Sequence, residues 1–496
     1  MTVDAAPHVV VVSGGIAGLA AAFFLAGEPV RVTVLEGLPR LGGKLSASDV
    51  AGVAVDEGAE ALLARRPEGI ELIKAAGLGD DLVPAGVTSS AIYTRGAMRP
   101  LPRRQFMGVP ADPDELAATG VISPAGVARA RTEASPQAGT ELPGAAGDVS
   151  VTEYIGSRLG PEIVDRLVDP LLGGVYAGRS EDLSFSATLA PLAAAARRYP
   201  TLTEAVTSLL PPPPAGANSS RQPADGGLGG PADPVRRPAP VFVSLTTGIG
   251  ALPEAVAKAS GADVRTSAVV RELRRTAAGW RLTVGSAADP EYLDADAVIL
   301  AAPAAPTARL LKDTAGAAAA QLELIPYASM AIVTLAFRAA DFPAQQRSGY
   351  LVPAVDGRAV KAATFSTVKW PHLAAVSLSS GAPVHVVRCS IGRSGDVAVL
   401  QRDDEDLAAL AAAELAEAAG LTARPVAQRV TRWGGALPQY NVGHLDRVAA
   451  IRAAVAQQPG LAVAGAAYDG VGIPACVATA RSAAAQVLAH LAARRR

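Results

Sequence analysis

The first residues able to do chemistry are Ser13-Gly14-Gly15-Ile16-Ala17-Gly18, with Glu36 further on. Glycines let a backbone approach a pyrophosphate, free N–H groups at a helix start stabilise its charge, and an acid beyond the next strand can bind ribose hydroxyls. A glycine triplet alone fits any strand-to-helix turn. Its placement between an apolar strand and an apolar helix, with the acid at the expected separation, points to a dinucleotide. Ser13 stands where the fingerprint has its first glycine. A non-glycine held at positive φ costs about 1 kcal/mol, so the expected effect is weaker cofactor binding rather than its loss.

These residues need a β-α-β unit to position them. His8 to Val12 reads as a buried strand, Ile16 to Leu25 as an apolar helix and Arg31 to Leu35 as a second strand. A helix is expected from Pro67 to Ala76, then a loop carrying Tyr93, Arg95 and Arg99, and several helices from Val151 to Arg198. Residues 211–240 hold nine Pro and five Gly and no aromatic side chain, so they cannot bury enough apolar surface to offset their ordering entropy. They read as a disordered insertion, and 128–148 as a weaker one. Strand character returns at Val241 to Val243, Val264 to Leu273, Trp280 to Val284 and Ala297 to Leu300. Further on come a strand-rich block at Ala331 to Cys389, a helix at Asp404 to Ala419, a strand at Leu461 to Ala464 and a helix from about Pro474.

Composition excludes several classes. Forty-five Lys plus Arg nearly balance forty-six Asp plus Glu, so no net field favours nucleic acid or an anionic membrane. No apolar stretch reaches the ~20 residues of a spanning helix, and the N-terminus lacks the basic region of a signal peptide. The five histidines have no ligand spacing, so no metal site is expected. Cys389 and Cys476 lack a paired spacing and read as reduced thiols of a cytoplasmic protein.

Three further motifs narrow the cofactor. Glu36 is followed by Arg40-Leu41-Gly42-Gly43-Lys44, which resembles the continuation found in the amine oxidase and porphyrinogen oxidase superfamily of flavoproteins. That moves the expectation from NAD to FAD. In such proteins the stretch Asp56-Glu57-Gly58-Ala59-Glu60-Ala61 would bring backbone close to the flavin. Near the other end, Gly465 to Cys476 sets glycines before a helix started by Pro474. Free N–H groups and the helix dipole there can face flavin N1 and the C2 carbonyl, where negative charge collects on reduction.

Over nearly the whole chain the sequence resembles the porphyrinogen oxidases of haem synthesis, most closely the actinobacterial coproporphyrinogen III oxidases. The resemblance rests on Leu62 to Pro67, Arg99-Pro100-Leu101-Pro102, Met107 to Pro110, Leu171 to Gly178, Lys361 to Ser366 and Lys369-Trp370-Pro371. It continues through Arg432-Trp433, Ala436 to Tyr440 and Tyr468 to Pro474. It implies an α/β fold with a Rossmann-like FAD-binding domain of the amine oxidase type, a mixed-sheet substrate domain and a helical subdomain. The implied spans are 1–88, 241–303 and 428–496 for the discontinuous FAD domain, 89–210 for a helical region at the substrate entrance, 211–240 for the insertion and 304–427 for the substrate domain. Implied FAD contacts are Ser13, Gly14, Gly15, Ile16, Ala17, Gly18, Glu36, Gly43, Lys44, Gly58, Ala59, Glu60, Ala61, Val270, Trp433, Val471, Gly472 and Ile473. Val270 is chosen over Val269 by its spacing to Leu273 and Trp280.

The implied reaction removes six electrons from a porphyrinogen in two-electron steps, with dioxygen reoxidising the flavin. No side chain need act as nucleophile or base, so none is named. The implied partners are the porphyrinogen, dioxygen and a downstream enzyme of haem synthesis. A tetrapropionate substrate needs cations, which makes Arg65 and Arg66 candidates, while Val175 and Tyr176 are candidates for lining the macrocycle pocket. Solvated surface arginines and plain core packing explain the same four residues about as well. The alternatives are protoporphyrinogen IX as substrate, an amine oxidase or carotenoid desaturase, or a non-catalytic porphyrin-binding flavoprotein.

Overall fold

The computed structural model describes residues 6–133, 147–212, 240–379 and 381–496. Most of the expected insertion at 211–240, and the centre of the weaker one at 128–148, lie outside these residues. The start of the weaker one is ordered, because Ala128–Arg131 completes the helix Pro124–Arg131. Ser123 caps that helix by accepting from Gly126 N, and Val127 and Ala130 are buried beneath it.

His8–Val12 lies at the centre of a five-stranded parallel sheet. On one side come Arg31–Leu35 and Asp263–Arg265, and on the other Ala297–Leu300 and Leu461–Val463. Parallel strands are covered on both faces and read as continuous apolar runs. Alternation along His8–Val12 shows why. Val9 and Val11 pack with the helices Ile16–Leu25, Leu252–Ser260 and Ile473–Arg494, while Val10 and Val12 join the core on the opposite face. That second core holds Trp280 and Leu282 of the antiparallel sheet Val270–Arg275, Trp280–Gly285 and Pro290–Ala295. Helices Ala304–Leu311, Gly316–Glu323 and His444–Ala456 complete it.

A seven-stranded sheet forms the second layer. Its order is Ala427–Pro438, Tyr327–Arg338, Val384–Ile391, Val360–Phe365, Gly349–Leu351, Ala91–Thr94 and Ala97–Pro100. It is mixed, since Gly349–Leu351 pairs in parallel with Ala91–Thr94 and the other pairs are antiparallel. Two of its pieces fall across the expected boundaries. The stretch with Tyr93, Arg95 and Arg99, read as a loop, is a hairpin whose tip takes Arg95 and Gly96 to positive φ. Ala427–Pro438 pairs with Tyr327–Arg338 almost throughout and so belongs to this sheet, although 428–496 was assigned to the FAD domain. The helices between Val151 and Ala196, with Leu202–Leu209, pack around Tyr154, Phe185 and Leu167 as a third core.

Candidate cofactor and substrate site

His8–Val12 and Leu461–Val463 run in the same direction, so the helices that follow them, Ile16–Leu25 and Ile473–Arg494, both begin at one edge of the sheet. Neither helix has a side-chain cap or an acid in its first turn among the described residues. Their positive ends are therefore available to an anion or a developing negative charge.

The glycines at the first helix divide the work. A Cβ on Gly18 would lie 1.9 Å from Ser13 O, and one on Gly14 would lie 2.7 Å from Leu41 Cδ2, so these two permit close packing. A Cβ on Gly15 would meet only Ser13 Oγ, at 3.6 Å, which leaves the space before the helix open. Ser13 sits at φ 101° as the fingerprint demands, with Ser13 N donating to Leu35 O at 2.8 Å. Its hydroxyl accepts from Gly15 N at 3.3 Å. Glu36 is buried, and its two oxygens accept from Gly14 N at 2.6 Å and Leu38 N at 2.8 Å. Each oxygen keeps acceptor capacity for a ribose hydroxyl.

The next two motifs fold onto the first. Gly42 N donates to Gly14 O at 2.9 Å, and Gly43 comes so near that its Cβ would lie 3.5 Å from Gly15 Cα. Gly58 packs on Lys44, where a Cβ would lie 1.9 Å from Lys44 O and 3.4 Å from Trp433. Trp433 Nε1 donates to Glu57 O at 2.9 Å, and Arg40 lies 5.9 Å from the Trp433 ring centre. Burial lowers the Lys44 ammonium below its ordinary pKa, and its Nζ stands 5.7 Å from the Tyr327 ring centre. The structure thus brings Ser13 to Gly18, Glu36, Gly43, Lys44, Gly58 and Trp433 into one neighbourhood.

Two expected contacts look different in place. Val270 turns into the core with Leu273 and Trp280, whereas exposed Val269 rests against Gly37, where a Cβ would meet Val269 Cγ2 at 3.4 Å. Val269 is thus the one of the pair that lies against the turn after Glu36. The Glu60 carboxylate is held between Lys369 and Arg388, and Arg388 Nη2 also donates to Gly58 O at 2.6 Å. Burial alone would raise the Glu60 pKa, but the two cations outweigh it and hold it down to about 2. Sequence reasoning gave Lys369 and Arg388 no role. A lone arginine inside the apolar strand Val384–Ile391 was the available signal.

At the C-terminal turn, a Cβ on Gly472 would meet only Pro474 Cδ, at 3.8 Å, so the approach to the second helix is open like that at Gly15. Val471 packs against the core that contains Tyr176 and Tyr440. Tyr176 is buried near the end of the helix Asp169–Tyr176, and burial pushes its phenol up to about 12, while Val175 beside it is 42% exposed. Buried Cys476 is a free thiol, pushed up to about 11 by burial. Arg65 and Arg66 are both exposed. Arg65 makes no ion pair among the described residues, and Arg66 pairs with Glu68 at 2.7 Å.

A β-α-β cradle with its acid and a second uncapped helix at the same sheet edge define a dinucleotide-dependent oxidoreductase, and the family model for flavin containing amine oxidoreductases matches residues 16–488. The chain belongs to that family, in its porphyrinogen oxidase branch. It is 36% identical to the coproporphyrinogen III oxidase of Mycobacterium tuberculosis, with 97% of each chain covered. With the Bacillus subtilis protein of the same name it shares 28% identity, covering 98% of this chain and 99% of that one. A solved structure from Exiguobacterium sp. 255-15 matches with a TM-score of 0.80 at 29% identity, covering 98% and 99% of the two chains. The cyclohexylamine oxidase of Brevibacterium oxydans shares the fold, with a TM-score of 0.69 at 17% identity and coverage of 98% and 99%. The cofactor is FAD, and the open approaches at Gly15 and Gly472 fit its pyrophosphate and its flavin end. Among the described residues no helix is long and apolar enough to cross a membrane, and no cluster of His, Cys, Asp and Glu could hold a metal ion.

Proposed function

We propose that the protein oxidises coproporphyrinogen III to coproporphyrin III, with dioxygen as the electron acceptor. The observation that carries this is the packing of Val471, in the turn before the second uncapped helix, against the core that holds Tyr176. That packing supports a reading in which buried Tyr176 and its exposed apolar neighbour Val175 would lie beside the flavin. The names of the relatives supply the macrocycle.

When bound, FAD would supply a hydride acceptor; three two-electron steps, each releasing one hydride and one proton from the porphyrinogen and each followed by reoxidation with dioxygen to hydrogen peroxide, would account for the six electrons. The chain's part is to bind, orient and exclude water. Ser13 to Gly18 and Glu36 would hold the pyrophosphate and ribose. The N–H groups around Val471, Gly472 and Ile473 would face the flavin pyrimidine, where a fixed dipole favours the reduced charge without reorganising. Tyr176 stays a neutral phenol at any physiological pH, since burial holds its pKa near 12, so it would serve as a wall and not a base. Arg65, free of protein carboxylates among the described residues, is the better placed of the two arginines to meet a propionate. The product would pass to a downstream enzyme of haem synthesis.

Anaerobic preparation of the holoenzyme, followed by parallel assays on coproporphyrinogen III and protoporphyrinogen IX, tests the reading. A higher kcat/KM for coproporphyrinogen, with dioxygen consumed, supports it. Preference for protoporphyrinogen, reported by name for a relative in Bos taurus at 28% identity, overturns the substrate assignment.

A further inference from the structure

Gln439 and Tyr440 follow directly on the strand Ala427–Pro438, and both are 2% exposed. Gln439 Nε2 donates to Tyr176 O at 2.8 Å and to Leu437 O at 3.0 Å, which ties the end of the Tyr176 helix to the strand. Gly178 leaves room for that amide, because a Cβ there would lie 2.4 Å from Gln439 Oε1. The Tyr440 hydroxyl accepts from Gly470 N at 2.7 Å and donates to Ala466 O at 2.6 Å. One oxygen therefore spans the turn that leads to the helix Ile473–Arg494.

The Tyr440 ring is fixed from two sides. Its centre lies 5.5 Å from that of Tyr176, and its other neighbour is the His444 imidazole, stacked at 3.8 Å with 13° between the planes. His444 Nε2 lies 3.1 Å from Tyr468 O, and a carbonyl can only accept, so the proton sits on Nε2. Burial keeps this imidazole neutral, lowering its pKa to about 4. The turn from Gly465 to Ile473 is thus held at Ala466, Tyr468 and Gly470 by two stacked rings, one of which touches the Tyr176 ring.

We propose that Tyr440 is a positioning residue for the flavin-facing turn, and that Gln439 and Tyr440 couple this turn to the helix that carries Tyr176. A porphyrin macrocycle packed against that helix would then restrain the turn, and through it the cofactor. The proposal rests on the reading that the flavin faces Val471 to Ile473 and that the macrocycle sits beside Tyr176. By linkage the effect is reciprocal: the factor by which bound porphyrin raises the affinity for FAD is the factor by which bound FAD raises the affinity for the porphyrin.

The test uses the holoenzyme and coproporphyrin III as probe, with release of FAD followed by its recovered fluorescence after dilution. Tyr440→Phe keeps the ring stack and removes both hydrogen bonds of the hydroxyl. It is expected to bind FAD but release it about tenfold faster, and to favour the reduced flavin about tenfold less, a fall of roughly 30 mV in a two-electron midpoint potential. In the wild type coproporphyrin III is expected to slow release at least threefold, and in Gln439→Leu this slowing is lost. Wild-type release and potential in Tyr440→Phe, or full slowing in Gln439→Leu, would overturn the coupling. Hydrogen exchange across 465–473 in the wild type needs no variant to fold, and coproporphyrin III should slow it. If the porphyrin binds and exchange in the turn stays the same, the coupling alone is wrong. If the porphyrin does not bind, the substrate reading falls and the coupling falls with it.

Discussion

Arg66 lies alongside Glu68, with Nη2 2.7 Å from Oε1 and Nε 3.1 Å from Oε2, so the guanidinium is already turned towards a carboxylate two residues away. A substrate propionate would have to compete with Glu68, and Arg65 has no such rival among the described residues. Steady-state kinetics on coproporphyrinogen III should therefore show Arg65→Ala lowering kcat/KM about tenfold, a loss near 1.4 kcal/mol, and Arg66→Ala only about twofold. Melting temperatures should hardly move, since exposed ion pairs contribute about 0 to 1 kcal/mol. Equal and near-wild-type values for both variants would remove these arginines from the site.

Gly18 and Ser13 meet closely at the start of the first helix, and substitutions there should act in opposite directions. Gly18→Ala places a methyl group 1.9 Å from Ser13 O, which the strand and the helix cannot both accommodate. FAD content should fall below a tenth of wild type, with a loss of more than about 2 kcal/mol in stability. Ser13→Gly relieves a φ of 101° and gives up the contact of its hydroxyl with Gly15 N. FAD should bind up to about fivefold tighter, a gain of up to 1 kcal/mol, as read by titration of released cofactor.

Glu60 neutralises two cations at once. Glu60→Gln leaves Lys369 and Arg388 without the carboxylate that pairs with both, Asp56 being a remaining anion near Arg388, and loss of one member of a buried ion pair costs about 3 to 5 kcal/mol. The folded carboxyl is held down to about 2 from an ordinary 4.5. A depressed acid contributes its stability above the ordinary value and loses it as pH falls through the folded one. Denaturant titrations should show the full gap between wild type and Glu60→Gln at pH 7, and a shrinking gap between pH 4.5 and pH 2. A gap independent of pH in that window would mean that Glu60 is not the anion of this cluster.

Lys361 is buried with its Nζ 3.2 Å from Gly173 O, near Arg393, and no carboxylate pairs with it among the described residues. Burial lowers its pKa to about 7 from 10.5. Between those values the unfolded chain takes up a proton that the folded chain refuses, so stability falls as pH drops from 10.5 towards 7 and changes no further from this group below that. Lys361→Met should melt roughly 1 to 2 °C higher than wild type at pH 6, a shift on the order of 1 to 2 kcal/mol, and the two should converge towards pH 10. Scanning calorimetry at both pH values reads the difference.

The cradle was legible because its signals are local. Ser13 to Gly18 lies between two elements whose apolar periods differ, and His8–Val12, Ile16–Leu25 and Arg31–Leu35 form where those periods place them. The return of Leu461–Val463 to the same sheet followed from the family resemblance, which puts the C-terminal segment in the same domain as the N-terminal one. Long-range pairing was not. Tyr93 and Arg99 read as loop because Arg95-Gly96 and two prolines dominate that stretch, yet the hairpin is recruited by Gly349–Leu351, some 250 residues away. Glu60 was expected near the flavin for its backbone, and the partners of its carboxylate come from the short helix Ser366–Lys369 and the strand Val384–Ile391, which no local pattern connects to it. Tyr440 was visible as a residue of a family motif, but its stack with His444 forms only once the chain has turned back at Asn441.

The sheet order also sets a timetable for synthesis. His8–Val12 can pair with Arg31–Leu35 almost at once, but its other neighbour, Ala297–Leu300, arrives hundreds of residues later, and Leu461–Val463 and its helix come after almost everything else. Closing so long a loop costs only slowly more entropy with length, though pairings this distant form late. A nascent or interrupted chain therefore owns half of the cradle and none of the second helix start. A redox site that needs both helix starts cannot form until Leu461–Val463 and Ile473–Arg494 have been made.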